Sequence, residues 1–374
     1  MVLSDVEERR KREINFLKTS RSWLPELEGL RGLAALWVFT LHVSNLTGAD
    51  LPVFKAGGLG VDLFILLSGF LMVHQHEQRP IPIQHFYLRR FFRIAPLYYI
   101  LLAVSLAAGD FLQSARAAIP YPEALTDAAR YTDHSAANVL THVSFAFGLL
   151  PHYSSRTAMP DWSIGLEMQF YLVFPLLMLL ILRVGYAAVA ITVCVLAAVG
   201  AVCRPHWYAS FSFPSFLPLK IDLFVVGMLI AARMHGTAKW VLPLVIALPI
   251  LALVGPQEPR HVLAEIAFAL LLYSVTVTSW PLRHALKHPV CVWLGDISYS
   301  FYLLHLLVLV PVVAFLVHYP AFLQASRGSR FAVALIASAA LIVPLSWLCY
   351  RVIERPGIAL GKSLLAMGRR QCPG

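Results

Sequence analysis

The chain has 374 residues, 59% of them hydrophobic and 13% charged, with a mean hydropathy of +0.70 and a formal net charge of +10. Soluble domains carry about a quarter charged residues and slightly under half apolar ones, so this composition excludes a soluble globular protein and points to a polytopic membrane chain. The basic excess could suggest nucleic acid, but the sequence shows no nucleic-acid-binding module and its charge follows membrane topology instead.

In chain order, the opening VEERRKREINFLKTSRSW is basic and is expected to form an interfacial helix near anionic headgroups. Residues 1–30 are therefore read as a cytoplasmic or interfacial segment. The first apolar run follows this polar stretch without an A-x-A cleavage pattern, so it reads as a retained span and not a removable signal peptide. Runs of about twenty apolar residues, some shorter at irregular ends, mark spans. They fall near 32–47, 58–75, 92–109, 162–182, 186–203, 216–233, 240–255, 261–280, 292–318 and 331–350. NVLTHVSFAFGLL at 138–150 is too short for a routine span and is expected to dip into the membrane from one side. With ten spans and the amino terminus inside, inner segments hold 21 of the 30 Lys and Arg residues; an eleventh span at 138–150 reduces that to 17. The positive-inside rule thus favours ten spans with both termini cytoplasmic. The expected fold is all-α: one membrane domain over 31–356, built as a bundle of about ten transmembrane helices plus one short membrane-dipping segment. Residues 357–374 form a short cytoplasmic tail.

The five cysteines include no C-x-x-C pair and read as small buried hydrophobes. His74 and His76, with His85 nearby, lack a carboxylate or cysteine at ligand spacing, so no metal site is expected.

Ionisable residues within spans are costly and are functional candidates by default. In RGLAALWVFTLH, Arg31 and His42 are eleven residues apart, which on a helix is roughly 16 Å of rise and only about 20° of rotation. They share a face, with Arg31 at the inner edge and His42 past the midplane. Asp62, Glu167, Asp222 and His305 fall in a similar outer band of their spans. Ser163, Glu167 and Tyr171, at i, i+4 and i+8, make a polar stripe below Trp162 that faces other protein. An interior hydrogen-bond cluster that only joins helices would also use such residues; the matched depth of His42 and Glu167 favours chemistry. On the inner side, HFYLRRFFRIAPLYY places Arg89, Arg90 and Arg93 at the mouth of the third span. Spacing alone fits an ordinary positive-inside anchor, while arginine forks also suit phosphate. Ser68, in LLSGFL, has no G-x-S-x-G context and is expected to allow close helix packing with Gly69.

Taken in order, LEGLRGLAAL with the Arg31/His42 pair, GVDLFILLSGFLM, RRFFRIAPLYY, DWSIGLEMQFYLVFP, GDISYSFYLLH and VIERP resemble acyltransferase family 3. These are integral membrane proteins that O-acylate sugars of lipopolysaccharide, peptidoglycan, Nod factors and some antibiotics. Two positions depart conservatively: Glu28 stands where the family usually has Asp, and Asp222 where Glu is more usual. Larger members carry a C-terminal hydrolase-like domain; the sequence ends shortly after its last predicted span, so that domain's work is expected to be dispensable or supplied by a partner. The resemblance implies an inner-membrane enzyme that moves an acyl group, often acetyl, from cytoplasmic acyl-CoA to a hydroxyl of a glycan or lipid-linked saccharide on the far side. No permanently bound cofactor is implied. It also implies that Arg31, His42 and the arginine cluster are functional.

On this reading Arg31, Arg89, Arg90 and Arg93 hold the CoA phosphates, and His42 is the general base. Glu167 orients His42, as the acid does in a triad. Asp62, Ser68, Trp162, Ser163, Tyr171, Asp222, Tyr302 and His305 are supporting candidates, with Tyr302 and Ser163 as possible oxyanion donors. A serine relay through Ser68 or Ser163 is less favoured, and an acyl-histidine intermediate stays open. The competing classes are a glycan or small-molecule transporter and a non-catalytic membrane partner. Neither inverted repeats nor paired broken helices support transport.

Overall fold

The computed structural model describes residues 23–121, 127–278 and 280–371, with side chains up to 367. Apart from Trp23, the basic opening segment lies outside the described residues, as does Cys372. Among the described residues the secondary structure is helical, without strands.

The main helices are α1 (Pro25–Leu46), α2 (Leu59–Gln78), α3 (Ile83–Ala107), α4 (Trp162–Val184), α5 (Tyr186–Cys203) and α6 (Ile221–Met234). They continue with α7 (Val241–Leu251), α8 (Pro259–Val277), α9 (Pro289–Asp296), α10 (Ser298–Leu316), α11 (Arg327–Cys349) and α12 (Arg355–Gln371). Each of the ten predicted spans is occupied by a helix. Seven stretches of the described residues are long and apolar enough to cross a membrane. The predicted first span is the 22-residue α1, and the sixth and seventh are the shorter α6 and α7.

The side chains explain why this bundle belongs in lipid. Along α4, Leu172, Leu176 and Leu179 are 69%, 57% and 59% exposed and share one helix stripe. Each would cost about 1.5–3 kcal/mol in water relative to an apolar environment, so the stripe is a lipid-facing surface. The opposite face of α4 buries Phe170 and Phe174, and Phe170 stacks on Phe224 of α6 with ring centroids 3.9 Å apart.

Glycines bring the central helices into backbone contact. A Cβ on Gly69 would lie 2.1 Å from the Phe224 carbonyl oxygen, and one on Gly227 would lie 2.1 Å from that of Leu66. α2 and α6 therefore pack at a distance that excludes any side chain at those two points. This is the close packing expected of the Ser68–Gly69 step. α1 and α9 meet in the same way, because a Cβ on Gly295 would lie 2.0 Å from the Glu28 carbonyl oxygen.

The expected dipping segment is broken in two. A helix over Ala136–Val143 is followed by Phe145 in the left-handed region, at φ 60°, and then by a 3-10 turn over Ala146–Leu149. Its eight-residue helix is about 12 Å long, far short of a bilayer core of about 30 Å. The turn packs on the first turns of α4, where a Cβ on Gly148 would come within 3.0 Å of the Gly165 backbone.

α11 passes into α12 through one π-helical turn, Tyr350–Glu354. Pro356, just beyond it, has no N–H to give the ladder. The turn carries Glu354 into the bundle, where it is 2% exposed. Such turns often sit at functional positions.

The cysteines differ from their expected burial. Cys194 is buried, Cys291 and Cys349 are half-buried, and Cys203 near the end of α5 is exposed. The four are free thiols.

Candidate active site

Helix α1 opens with Pro25 at its first turn and with Glu26 and Glu28, the residue types that suit a helix amino terminus. Glu26 is buried and holds Arg283 at 2.8 Å, tying α1 to the short helix Leu282–Leu286 that precedes α9. One turn on, Glu28 binds Arg31 at 3.0 Å. At the same end of the bundle Arg93 of α3 pairs with Glu354 at 3.7 Å, and Ser300 donates to the other Glu354 oxygen at 3.0 Å. Arg31 is close enough for its charge to act on Glu354 and Asp296 as well. The basic mouth expected from sequence is thus a mixed cluster, with three carboxylates set among its arginines. Arg89 is exposed at its edge. Arg90 donates to Gln75 at 2.6 Å and lies over the Tyr171 ring, 5.4 Å from its centroid.

From this cluster a line of polar side chains runs through the apolar core. Tyr171 lies within the electrostatic reach of both Arg90 and Arg93, and its hydroxyl donates to Glu167. Ser68 of α2 donates to the same Glu167 oxygen at 3.1 Å. One turn up α4, Ser163 shares a hydrogen bond of 2.9 Å with the Tyr302 hydroxyl of α10. Tyr302 leads to His305, whose Nδ1 lies 2.6 Å from the Tyr302 carbonyl oxygen. The His305 ring is 5.1 Å from that of His42, centroid to centroid. The i, i+4 stripe read from the sequence is therefore real, and it bridges the two ends.

The expected pairing of Glu167 with His42 is not formed. Glu167 is taken up by Tyr171 and Ser68, and the side chain beside His42 is His305. His305 comes from α10, and sequence spacing gives no information on which helix becomes the neighbour of His42.

Asp62 and Asp222 belong to a different constellation. Lys220, at the start of α6, holds Asp62 at 2.8 Å and Glu265 of α8 at 2.6 Å, with Asp222 two residues away. All four side chains are buried. Lys220 and Glu265 fall inside predicted spans, so the rule that picked out Asp62 should have picked them out too.

Asp62 and Lys220 also form part of the wall of an open cleft of about 980 Å³, along with Trp162, Tyr208, Phe211 and Arg260. The wall comes from the Pro52–Leu59 turn, the first residue of α4 and the segments leading into α6 and α8, all predicted to lie at the external side. Trp162 stacks on Phe213 with centroids 6.1 Å apart, and the next residue, Ser163, joins the polar line. His42 itself does not line the cleft.

Arg130 is a residue the sequence reading missed. It is 5% exposed, donates to the Met159 carbonyl at 2.8 Å, and its Nε has no partner. Burial pushes its pKa down from that of a free guanidinium, while Asp161 and nearby tyrosines act the other way. Its charge reaches His42, His305 and Tyr302. An arginine on a predicted external loop, against the positive-inside trend, was the available signal.

Comparisons with known proteins bear on the family of the chain. A family model described as an acyltransferase domain, Acyl_transf_3, matches residues 24–351. The chain is 28% identical over 174 residues to the peptidoglycan O-acetyltransferase OatA of Listeria monocytogenes, covering 44% of this chain and 25% of that protein. It is 27% identical over 323 residues to the acyltransferase MdmB of Streptomyces mycarofaciens, covering 76% of this chain and 79% of that one. The chain thus spans about a quarter of the length of OatA and most of MdmB. No solved structure matches it. With the family model covering nearly all of the helical bundle, from the turn before α1 to the end of α11, the chain belongs to the membrane acyltransferases of family 3.

Proposed function

We propose that this acyltransferase moves an acyl group, acetyl first among the candidates, from acyl-CoA at the Arg31 face to a hydroxyl of a glycan or lipid-linked saccharide at the cleft face. The observation that carries the proposal is the polar line from Arg93 through Tyr171, Glu167, Ser163 and Tyr302 to His305 and His42, crossing an otherwise apolar bundle. Arg31, Arg89, Arg90 and Arg93 offer guanidinium forks to the donor phosphates, which compete with Glu28 and Glu354 for two of them. The cleft at the other end offers aromatic faces and polar groups suited to a sugar. One relative named for O-acetyl transfer to peptidoglycan supports a surface-glycan acceptor.

In this reading the bundle sits in the cytoplasmic membrane with the Arg31 face and both termini inside. His42 takes the proton of the acceptor hydroxyl as its oxygen bonds to the thioester carbon. The C–S bond breaks and the proton passes on to the CoA sulfur. Tyr302, Ser163 and Arg130 surround the region where negative charge develops on the carbonyl oxygen. Loss of a general base costs 10²–10⁴-fold in rate. Purified protein given labelled acetyl-CoA and extracted lipid-linked glycan is expected to transfer label and release CoA, and His42→Ala should lose about 10²–10⁴-fold of that rate while remaining folded. Movement of unmodified glycan without CoA turnover would instead identify a transporter.

A further inference from the structure

His42 and His305 each bury a ring nitrogen that has no hydrogen-bond partner: Nδ1 of His42 and Nε2 of His305. Leaving such a group unpaired costs about 1–3 kcal/mol, so two orphans on neighbouring rings need a reason. The tautomer of His305 follows from its other nitrogen. A carbonyl oxygen can only accept, and the Tyr302 carbonyl lies 2.6 Å from Nδ1, so Nδ1 carries the proton. The Nε2 of a neutral His305 is then a lone pair. A second proton would place a cation in a 1% exposed site beside Phe39, Phe301 and the charge of Arg130. The two rings lie 5.1 Å apart with a 36° tilt. The His74 and His235 rings, 5.0 Å apart with a 35° tilt, make a ring-nitrogen contact of 2.9 Å, so this separation and tilt are compatible with a hydrogen bond between two imidazoles.

We infer that His305 is the positioning residue of the proposed reaction: its Nε2 accepts from Nδ1–H of His42, which fixes Nε2 of His42 as the basic nitrogen. His42 is half-buried, and with Nδ1 enclosed it is Nε2 that meets the acceptor. This inference rests on the acyl-transfer reading and deepens it. A neutral imidazole takes the place that a carboxylate fills in a Ser-His-Asp triad. The proton count of His305 does not change in the cycle. The proton moves from acceptor oxygen to His42 Nε2 and then to the CoA sulfur, as the C–O bond forms and the C–S bond breaks. Without a full negative charge behind it, the His42 imidazolium is held less firmly and returns its proton readily to the thiolate.

The test compares His305→Leu with His305→Gln, whose amide oxygen can accept the same hydrogen bond, using labelled acetyl-CoA and extracted lipid-linked glycan. His305→Leu is expected to lower kcat about 10- to 100-fold, as loss of an orienting partner does, with KM for acetyl-CoA unchanged. His305→Gln should recover most of that loss. Wild-type kcat in the Leu variant, or a Gln variant no better than Leu when both melt as cooperatively as wild type, would overturn the inference. If either variant fails to fold, ¹⁵N NMR of histidine-labelled wild type decides. Protonation of Nδ1 on both rings supports the dyad, and a His42 protonated on Nε2 ends it. An inactive wild type would remove the acyl-transfer reading itself, whereas a His42-dependent enzyme indifferent to His305 would remove the dyad alone.

Discussion

Arg31 and His42 are both on α1, yet their surroundings differ in kind. Arg31 is held by Glu28 at 3.0 Å in a partly buried mixed cluster, where in the proposed reaction a donor phosphate exchanges for the carboxylate. A lysine there keeps the charge but replaces a planar fork with a point charge. Arg31→Lys is therefore expected to raise KM for acetyl-CoA several-fold with kcat nearly retained; unchanged CoA affinity by titration would remove Arg31 from the donor site. At this scale much of the candidate site was legible in the sequence. Ionisable residues in apolar runs, with their depth along a helix, brought out His42, Glu167, Asp62, Asp222 and His305. Sequence could not show partners. Glu167 bonds Tyr171 on its own helix and Ser68 on another, and His42 meets His305 from a helix more than two hundred and fifty positions away in sequence.

At the scale of elements, the bundle depends on where backbones touch. α2 and α6 exclude side chains at Gly69 and Gly227, and that contact sets Ser68 within reach of Glu167. A methyl at Gly69 would meet the Phe224 backbone at 2.1 Å, and backbone cannot yield as a flexible side-chain tip can. Gly69→Ala is expected to cost about 1–3 kcal/mol of stability, read as a lower melting temperature in detergent, and to reduce turnover. Gly328→Ala, with open space around the added carbon, should leave both unchanged. Equal behaviour of the two variants would mean that the α2–α6 contact does not govern the site. The helices themselves were readable from apolar runs, and each of the ten predicted ranges is helical. Their breaks were less so. The Phe145 turn places a bulky residue in the left-handed region with no glycine or asparagine to announce it. The π turn at Tyr350–Glu354 begins where the last apolar run ends, with only Pro356 to hint at it.

Across the whole molecule, two chemically distinct faces are joined by one polar line. One face gathers Arg31, Arg93, Glu28, Asp296 and Glu354; the other opens a cleft of about 980 Å³ between loops. The apolar runs of the sequence, which set Arg31 and the loops around the cleft at opposite ends of their spans, anticipated the separation of the two faces. They did not anticipate that carboxylates would neutralise much of the basic mouth, or that a buried lysine with three carboxylates would stand beside the cleft. Such clusters depend on which helices become neighbours. In the proposed reaction donor and acceptor are handled on opposite faces and meet near His42. This division is tested most directly in proteoliposomes of uniform orientation, with labelled acetyl-CoA confined to the Arg31 side and extracted lipid-linked glycan present. Label is expected on saccharide exposed at the cleft side and is lost in His42→Ala. Label appearing only on saccharide at the Arg31 side, or transfer that continues without His42, would contradict it.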